Sequence, residues 1–329
     1  MLTDVCVSST LLPYDLERSI IEFAAELDQS MAAKLSLISR EAKRWVEPIL
    51  YRNLTLHSSS QADVFIRTLN ERESKPSASI ASTVKSVSFT YGVTLHQAVK
   101  ILSTCTNITR LASRIQFSQI CLDMSLDDIF DFGRFLTTPL PTLRRLSVTL
   151  QPPYFYPEPS FHFPLFQNLT HLSIFGATDH CHKWSWKTLD SLLHLTHFAI
   201  ELDTSKNLQT IYNLLPRFPE SLRACLVVIT TGDGKPDLGK YINDNHEVQQ
   251  MIMGNTDRRI VVGMTEQLEC ALRWSHLLVV VQMWGAAYED EDAWTRVENI
   301  INTRKQCGGG TRKISGADCH VHIDTKAHH

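Results

Sequence analysis

Three short stretches of the chain carry residue types that bind phosphate or metal. "TGDGKPDLGK" (Thr231 to Lys240) offers glycines and a lysine, the ingredients of a phosphate-binding loop. Such a loop needs two glycines separated by four residues, then Lys and a hydroxyl that holds magnesium. Here Gly232 and Gly234 are too close, and Pro236 follows Lys235 where Ser or Thr belongs, so the stretch reads as a polar turn. "DHCHKW" (His180, Cys181, His182) and "CHVH" (Cys319, His320, His322) contain imidazole and thiol groups, both of which zinc accepts. A tetrahedral site joins ligand pairs from two loops, and nothing in the sequence brings these clusters together. No Gly-x-Ser-x-Gly elbow, HExxH helix or paired-carboxylate setting stands out either. The chemistry points to a protein that is not an enzyme, with no cofactor and no metal. The rival to keep in view is a metal-dependent enzyme whose zinc is bound by His180, Cys181 and His182 with a fourth group.

What must position any functional residue is a chain of 329 residues, more than one compact core usually uses, so two units or one extended repeat array are expected. A hydrophobic share of 43% and a charged share of 20% describe a folded protein rather than a disordered one. The formal charge of -3 supplies no basic face, and nucleic acid is not expected as a partner. "MLTDVCVSSTLLPYD" has neither a basic nor a long apolar region and does not read as a signal peptide. The most apolar run, "HLLVVVQMWGAA" (His276 to Ala287), is about half the ~20 residues a membrane helix needs, so a buried strand and no membrane partner are expected. Cys6, Cys105, Cys121, Cys181, Cys225, Cys270, Cys307 and Cys319 are scattered without paired spacing, which suggests reduced thiols and a cytoplasmic or nuclear location.

Near the start, Leu16, Ile20, Phe23, Ala24 and Leu27 fall on one face of a helix predicted from about Pro13 to Leu27. Pro13 suits a helix start, and Asp15 and Glu17 suit the positive end of its dipole. "DQS" then supplies capping side chains, and "MAAKLSLISREAKRWVEPILY" predicts a second and a third helical segment, with Pro48 closing one and opening a short last turn. Three short helices form too small a core to stand alone.

"LPYDLERSII" followed by "AAKLSLISREAKRWVEPILYRNLTL" resembles an F-box, in particular the F-box-like proteins abundant in mushroom-forming fungi, where a "WVEPILYR" ending is common. Leu12, Pro13, Asp15, Leu16, Ile20, Leu35, Ile38 and Trp45 occupy the positions of the family pattern. The resemblance implies a three-helix module that docks a Skp-type adaptor protein, and through it a cullin. The adaptor-binding residues it implies are Leu12, Pro13, Leu16, Ile20 and Leu35. A packing-only cap would have little use for Leu12 and Pro13 ahead of the helix, and a surplus apolar arc wants a second partner.

An internal period follows: "LRRLSV" from Leu143, "LTHLSI" from Leu169, "LTHFAI" from Leu195 and "LRACLV" from Leu222, spaced 26, 26 and 27 residues apart. "VKSVSF" from Val84 fits the same template, and "ITRLAS" from Ile108 fits it loosely. The period resembles leucine-rich repeats, which implies short parallel strands lining a curved sheet. The Asn that usually follows each strand is absent: Gln151, Ala177, Asp203 and Thr230 stand there, which leaves curvature and register open. Strand alternation turns Leu146, Val148, Leu172, Ile174, Phe198 and Ile200 inward and places Arg145, His171, His197 and Glu201 on the opposite face as candidate substrate-binding residues. Between Leu169 and Leu195, "WSWKTLDSLLHL" predicts a helix. "RIVVGM" (Arg259 to Met264) and "LLVVVQMW" (Leu277 to Trp284) predict strands, with "EQLECALRW" a helix between them and "EDEDAWTRVENIINTRKQ" a final helix.

The expected fold is therefore α/β: an F-box-like helical module over 10–57, then an irregular leucine-rich-repeat-like solenoid over 58–305 with a C-terminal capping helix, and a flexible tail over 306–329. The expected function is a substrate-recognition adaptor of an SCF-type cullin-RING ubiquitin ligase, whose repeat domain holds a target protein. The alternative is a ligase-independent protein-protein interaction scaffold.

Overall fold

The computed structural model describes residues 12–72, 80–115, 126–149, 160–175, 185–203, 208–230, 244–265, 293–307 and 321–322. It opens with α1 (Tyr14–Leu27), α2 (Gln29–Leu35) and α3 (Arg40–Leu50), the three helices expected from the sequence. Pro13 stands just ahead of α1, and its carbonyl accepts from the amides of Leu16 and Glu17. Asp28 caps α2 through the amides of Ser30 and Met31, and Ser39 caps α3 through that of Ala42. Pro48 does not break the third helix as predicted. It lies within α3, near the end, where its missing amide costs one helical donor, and the Tyr51 amide closes the turn on Glu47.

The remaining described residues form a mixed α/β body on a nine-stranded, all-parallel sheet whose strands lie side by side in sequence order. These are β1 (Asn53–Ser58), β2 (Ser86–Gly92), β3 (Arg110–Ser113), β4 (Arg145–Thr149), β5 (His171–Phe175), β6 (His197–Asp203), β7 (Ala224–Thr230), β8 (Ile260–Thr265) and β9 (Val321–His322). Parallel neighbours need crossover connections. Those described are α4 (Ser59–Arg72), α5 (Ile80–Thr83), α6 (Leu95–Thr104), α7 (Leu126–Thr137), α8 (Gln209–Leu214), α9 (His246–Ile252) and 3-10 turns at Pro164–Phe166, Trp186–Ser191 and Leu215–Arg217. They cover one sheet face and enclose the main core. The side chains predicted to point inward, Leu146, Val148, Leu172, Ile174, Phe198 and Ile200, are all buried there. The other face carries a smaller apolar cluster under the last described helix, α10 (Ala293–Cys307), whose Trp294, Val297 and Ile301 rest on Ala199, Ala224, Leu226, Val228 and Val261.

Register runs unbroken from β3 to β6: Arg110 faces Arg145, Arg145 faces His171, and His171 faces His197. Hydroxyls at the strand starts hold it. Thr109, Thr170 and Thr196, each one residue before a strand, donate to the carbonyls of Lys85, Arg144 and Thr170 on the preceding unit. Thr142 and Ser221, three residues before their strands, reach Ile108 and Leu195 in the same way. This ladder occupies the strand entrance rather than the exit, where the repeat template has its asparagine.

Three details depart from expectation. "WSWKTLDSLLHL" forms a 3-10 turn instead of an α-helix, because the Thr188 and Ser191 hydroxyls bond the carbonyls of Ser185 and Thr188 and compete with the helical ladder. β1 begins inside the stretch assigned to the helical module. Val321–His322, within the expected tail, pairs with Gly263 and Met264 of β8. The predicted strand at Leu277–Trp284, the helix Glu266–Trp274 before it and the acids Glu289–Asp292 lie outside the described residues.

Candidate functional site

The three-helix module buries a small core and leaves its large apolar side chains outside. Ala25, Ala32 and Val46 form the buried centre, with Ile21, Leu35, Ile49 and Leu50 packed against it and Tyr14 set edge-on to Trp45 at 5.1 Å. Ile20 and Ile21 are adjacent, about 100° apart around the helix, so one faces out and the other in. Residues Leu16, Ile20, Phe23 and Leu27, at steps of four, three and four, therefore make a solvent-facing stripe along α1. Leu12, Tyr14, Met31, Leu37 and Ile38 of the same module are exposed as well, and Ile20 is 55% and Leu37 85% exposed. In the rest of the described chain the large exposed apolar side chains are Val64, Phe130, Leu193 and Met253, which are scattered through the sequence. Most monomer surfaces carry large apolar side chains singly rather than in such a concentration.

The structure thus brings four of the five candidate adaptor-binding residues, Leu12, Pro13, Leu16 and Ile20, to the exterior of one module. The fifth, Leu35, is half-buried against Ala25, Ala32 and Val46 and belongs to the module's own packing. Sequence reasoning did not single out Phe23, Leu27, Met31, Leu37 and Ile38 for docking. Ala25, Ala32 and Ala42 fill the buried positions, where close packing leaves room for small side chains, so the large ones of α1 go elsewhere.

The module is fixed to the sheet. Tyr51 packs against the main core and lies 6.2 Å from the Phe65 ring, Arg52 pairs with Glu26 at 3.2 Å, and the Arg52 carbonyl accepts the amides of Lys85 and Ser86.

The second candidate surface is the sheet face away from the main core. Arg145, His171 and His197 form the expected column, and His171 and His197 stack with ring centroids 4.3 Å apart at an interplanar angle of 3°. Their surroundings differ from a bare concave face, because α10 lies over them. Trp294 meets both rings edge-on, at 5.8 Å from His171 and 4.8 Å from His197, and Glu298 Oε1 lies 3.0 Å from His197 Nε2. His197 and Glu201 are buried, and Arg145 and His171 are partly so. Burial, then the charges of His197, Arg145 and Arg110, lower the His171 pKa to about 3.

Thr196, His197 and Glu298 make a hydroxyl–imidazole–carboxylate array, with 2.8 Å between Thr196 Oγ1 and His197 Nδ1. Thr196 Oγ1 gives its one proton to the Thr170 carbonyl, so it accepts from His197 Nδ1 and is not activated as a nucleophile. Thr170 and His171 repeat the hydroxyl–imidazole contact at 2.9 Å one strand earlier, and both threonines belong to the hydroxyl ladder. The array is therefore a strand-start device that meets a carboxylate of α10, and its sequence signal is the repeated "LTH".

Residues 231–240, the His180–Cys181–His182 cluster and Cys319–His320 lie outside the described residues. Among the described residues, no group of three or more His, Cys, Asp or Glu side chains is arranged to hold a metal ion, and no helix is long and apolar enough to cross a membrane. No family model and no curated protein matches the chain.

Proposed function

We propose that the N-terminal module is F-box-like and docks a Skp-type adaptor protein, which would make the chain a substrate-recognition adaptor of an SCF-type cullin-RING ubiquitin ligase. The observation that carries this reading is the ledge of large apolar side chains, Leu12, Tyr14, Leu16, Ile20 and Phe23, left in solvent while the module closes its own core on alanines. A foreign helix laid along α1 would cover the stripe through anchors at four-, three- and four-residue steps, the usual mode of helix-in-groove recognition. The parallel body behind it reads as a leucine-rich-repeat-like solenoid that would present a target protein. Mechanism would then be proximity: one end holds the ligase and the other the target, so that an intramolecular encounter replaces a dilute one.

With α10 over the His171–His197 column, a target would approach Arg145 and His171 more readily than His197 and Glu201. The test of the docking reading is co-expression of the full chain with a Skp-type adaptor. Co-elution as a stoichiometric complex supports the ligase assignment. Separate elution removes it and leaves a ligase-independent scaffold.

A further inference from the structure

The two ends of α10 are held to the sheet by different chemistry. Near its C-terminal end Arg304 is buried and donates to the backbone carbonyls of Ile260, in β8, and Ile252, at the end of α9. A guanidinium keeps its charge at every pH a protein survives, so this anchor does not titrate. Near its N-terminal end Trp294 and Glu298 sit on the stacked His171 and His197 rings, which do titrate. We propose that α10 is a proton-sensitive strap: proton uptake by the His171–His197 pair releases the half bearing Trp294 and Glu298, while Arg304 holds the other end in place.

The sign follows from the groups around the pair. Arg145 on β4 and Arg110 on β3 continue the column from one side, and both oppose a proton on His171. From α10 comes Glu298, which favours a proton on His197 and is half-exposed, so water screens its pull. The other buried charged side chains on these elements are Glu201 on β6 and Arg304 on α10. With rings stacked at 4.3 Å, the covered pair holds at most one proton, the one Glu298 would share. Uncovered, both rings regain water and can take two. Opening therefore gains a proton on His171, whose covered pKa is about 3. Because the covered value is lowered, closure is complete above the ordinary histidine value and weakens as pH falls through it. Each pH unit below roughly 6.5 favours the open form by about tenfold more. This inference does not depend on the ledge or on any partner.

The test is hydrogen exchange on the full chain at pH 7.5 and pH 5.5, expressed as protection factors. The expected result is a fall of about tenfold at residues 296–300, with 301–306 and the β6 and β7 amides retained, and no fall in His171→Phe, which stacks but cannot titrate. Equal protection at both pH values, or the same fall in the variant, overturns the proposal. If the variant does not fold, the His171 ring proton is followed by NMR in the wild type. Titration with an ordinary midpoint while 296–300 stay protected overturns the proposal as well, and titration in step with their loss supports it.

Discussion

Replacing Phe23 with glutamine should leave the helical module intact, whereas the same change at Val46 should open it. Phe23 is 64% exposed, so at most about a third of the roughly 1.5–3 kcal/mol that burial of such a side chain contributes is at stake, or about 0.5–1 kcal/mol. Glutamine keeps a good helix propensity at that position. Val46 is fully buried against Ala25 and Ala32. There glutamine forces extra volume into a close-packed site, which costs about 1–3 kcal/mol, and leaves an amide without water, about 1–3 kcal/mol more. The two variants should therefore differ by at least about 1 kcal/mol, or roughly fivefold in the opening equilibrium of residues 14–50. Native-state hydrogen exchange on the full chain measures this directly. Comparable loss of protection in both variants, or a larger loss for Phe23→Gln, would show that the α1 stripe packs against the chain itself and would refute the division into core and ledge.

Other consequences can be measured separately. Thr142→Val removes the hydroxyl that reaches the Ile108 carbonyl at 2.8 Å while keeping its shape, and should lower stability in urea by about 1 kcal/mol. Arg304→Met removes both backbone contacts of the buried guanidinium, and the orphaned carbonyls should cost about 1–3 kcal/mol each, seen as loss of exchange protection over 301–306 at every pH. Burial pushes the Cys105 thiol up to about 12 and raises that of Cys225 as well, so neither thiolate forms near neutrality. Both should resist alkylation in the folded protein at pH 7.5 and react once it is unfolded, as peptide mass mapping would reveal.

The helices of the module and the strand positions were legible because each has a strong local signal. α1 has a 3.6-residue apolar period, and β4 to β7 have alternating apolar residues at a fixed spacing. What periodicity cannot tell is which side of an amphipathic stripe a partner covers. Leu16, Ile20, Phe23 and Leu27 have the pattern of a core face, yet the alanines of α1 to α3 close the core without them. The cover over His171 and His197 was illegible for a different reason: Trp294 and Glu298 lie about a hundred residues or more away in sequence, and no local pattern encodes that pairing. Conversely, α6 was missed although Thr94 and Gln97 spell a capping box at its start. The asparagine of the repeat template is absent, and register is carried instead by the threonine that precedes β3, β5 and β6.

The most direct measurement is a calorimetric titration of a Skp-type adaptor into the full chain, compared with Leu16→Gln, Ile20→Gln, Phe23→Gln combined. Each of these side chains has about half its surface still to cover, so each contributes roughly 0.8–1.5 kcal/mol on docking. Their joint loss should weaken the complex by about fiftyfold or more while the exchange protection of α3 is unchanged. Absence of heat with the wild-type chain, or equal affinity for the triple variant, would contradict the claim that this ledge is where the adaptor binds.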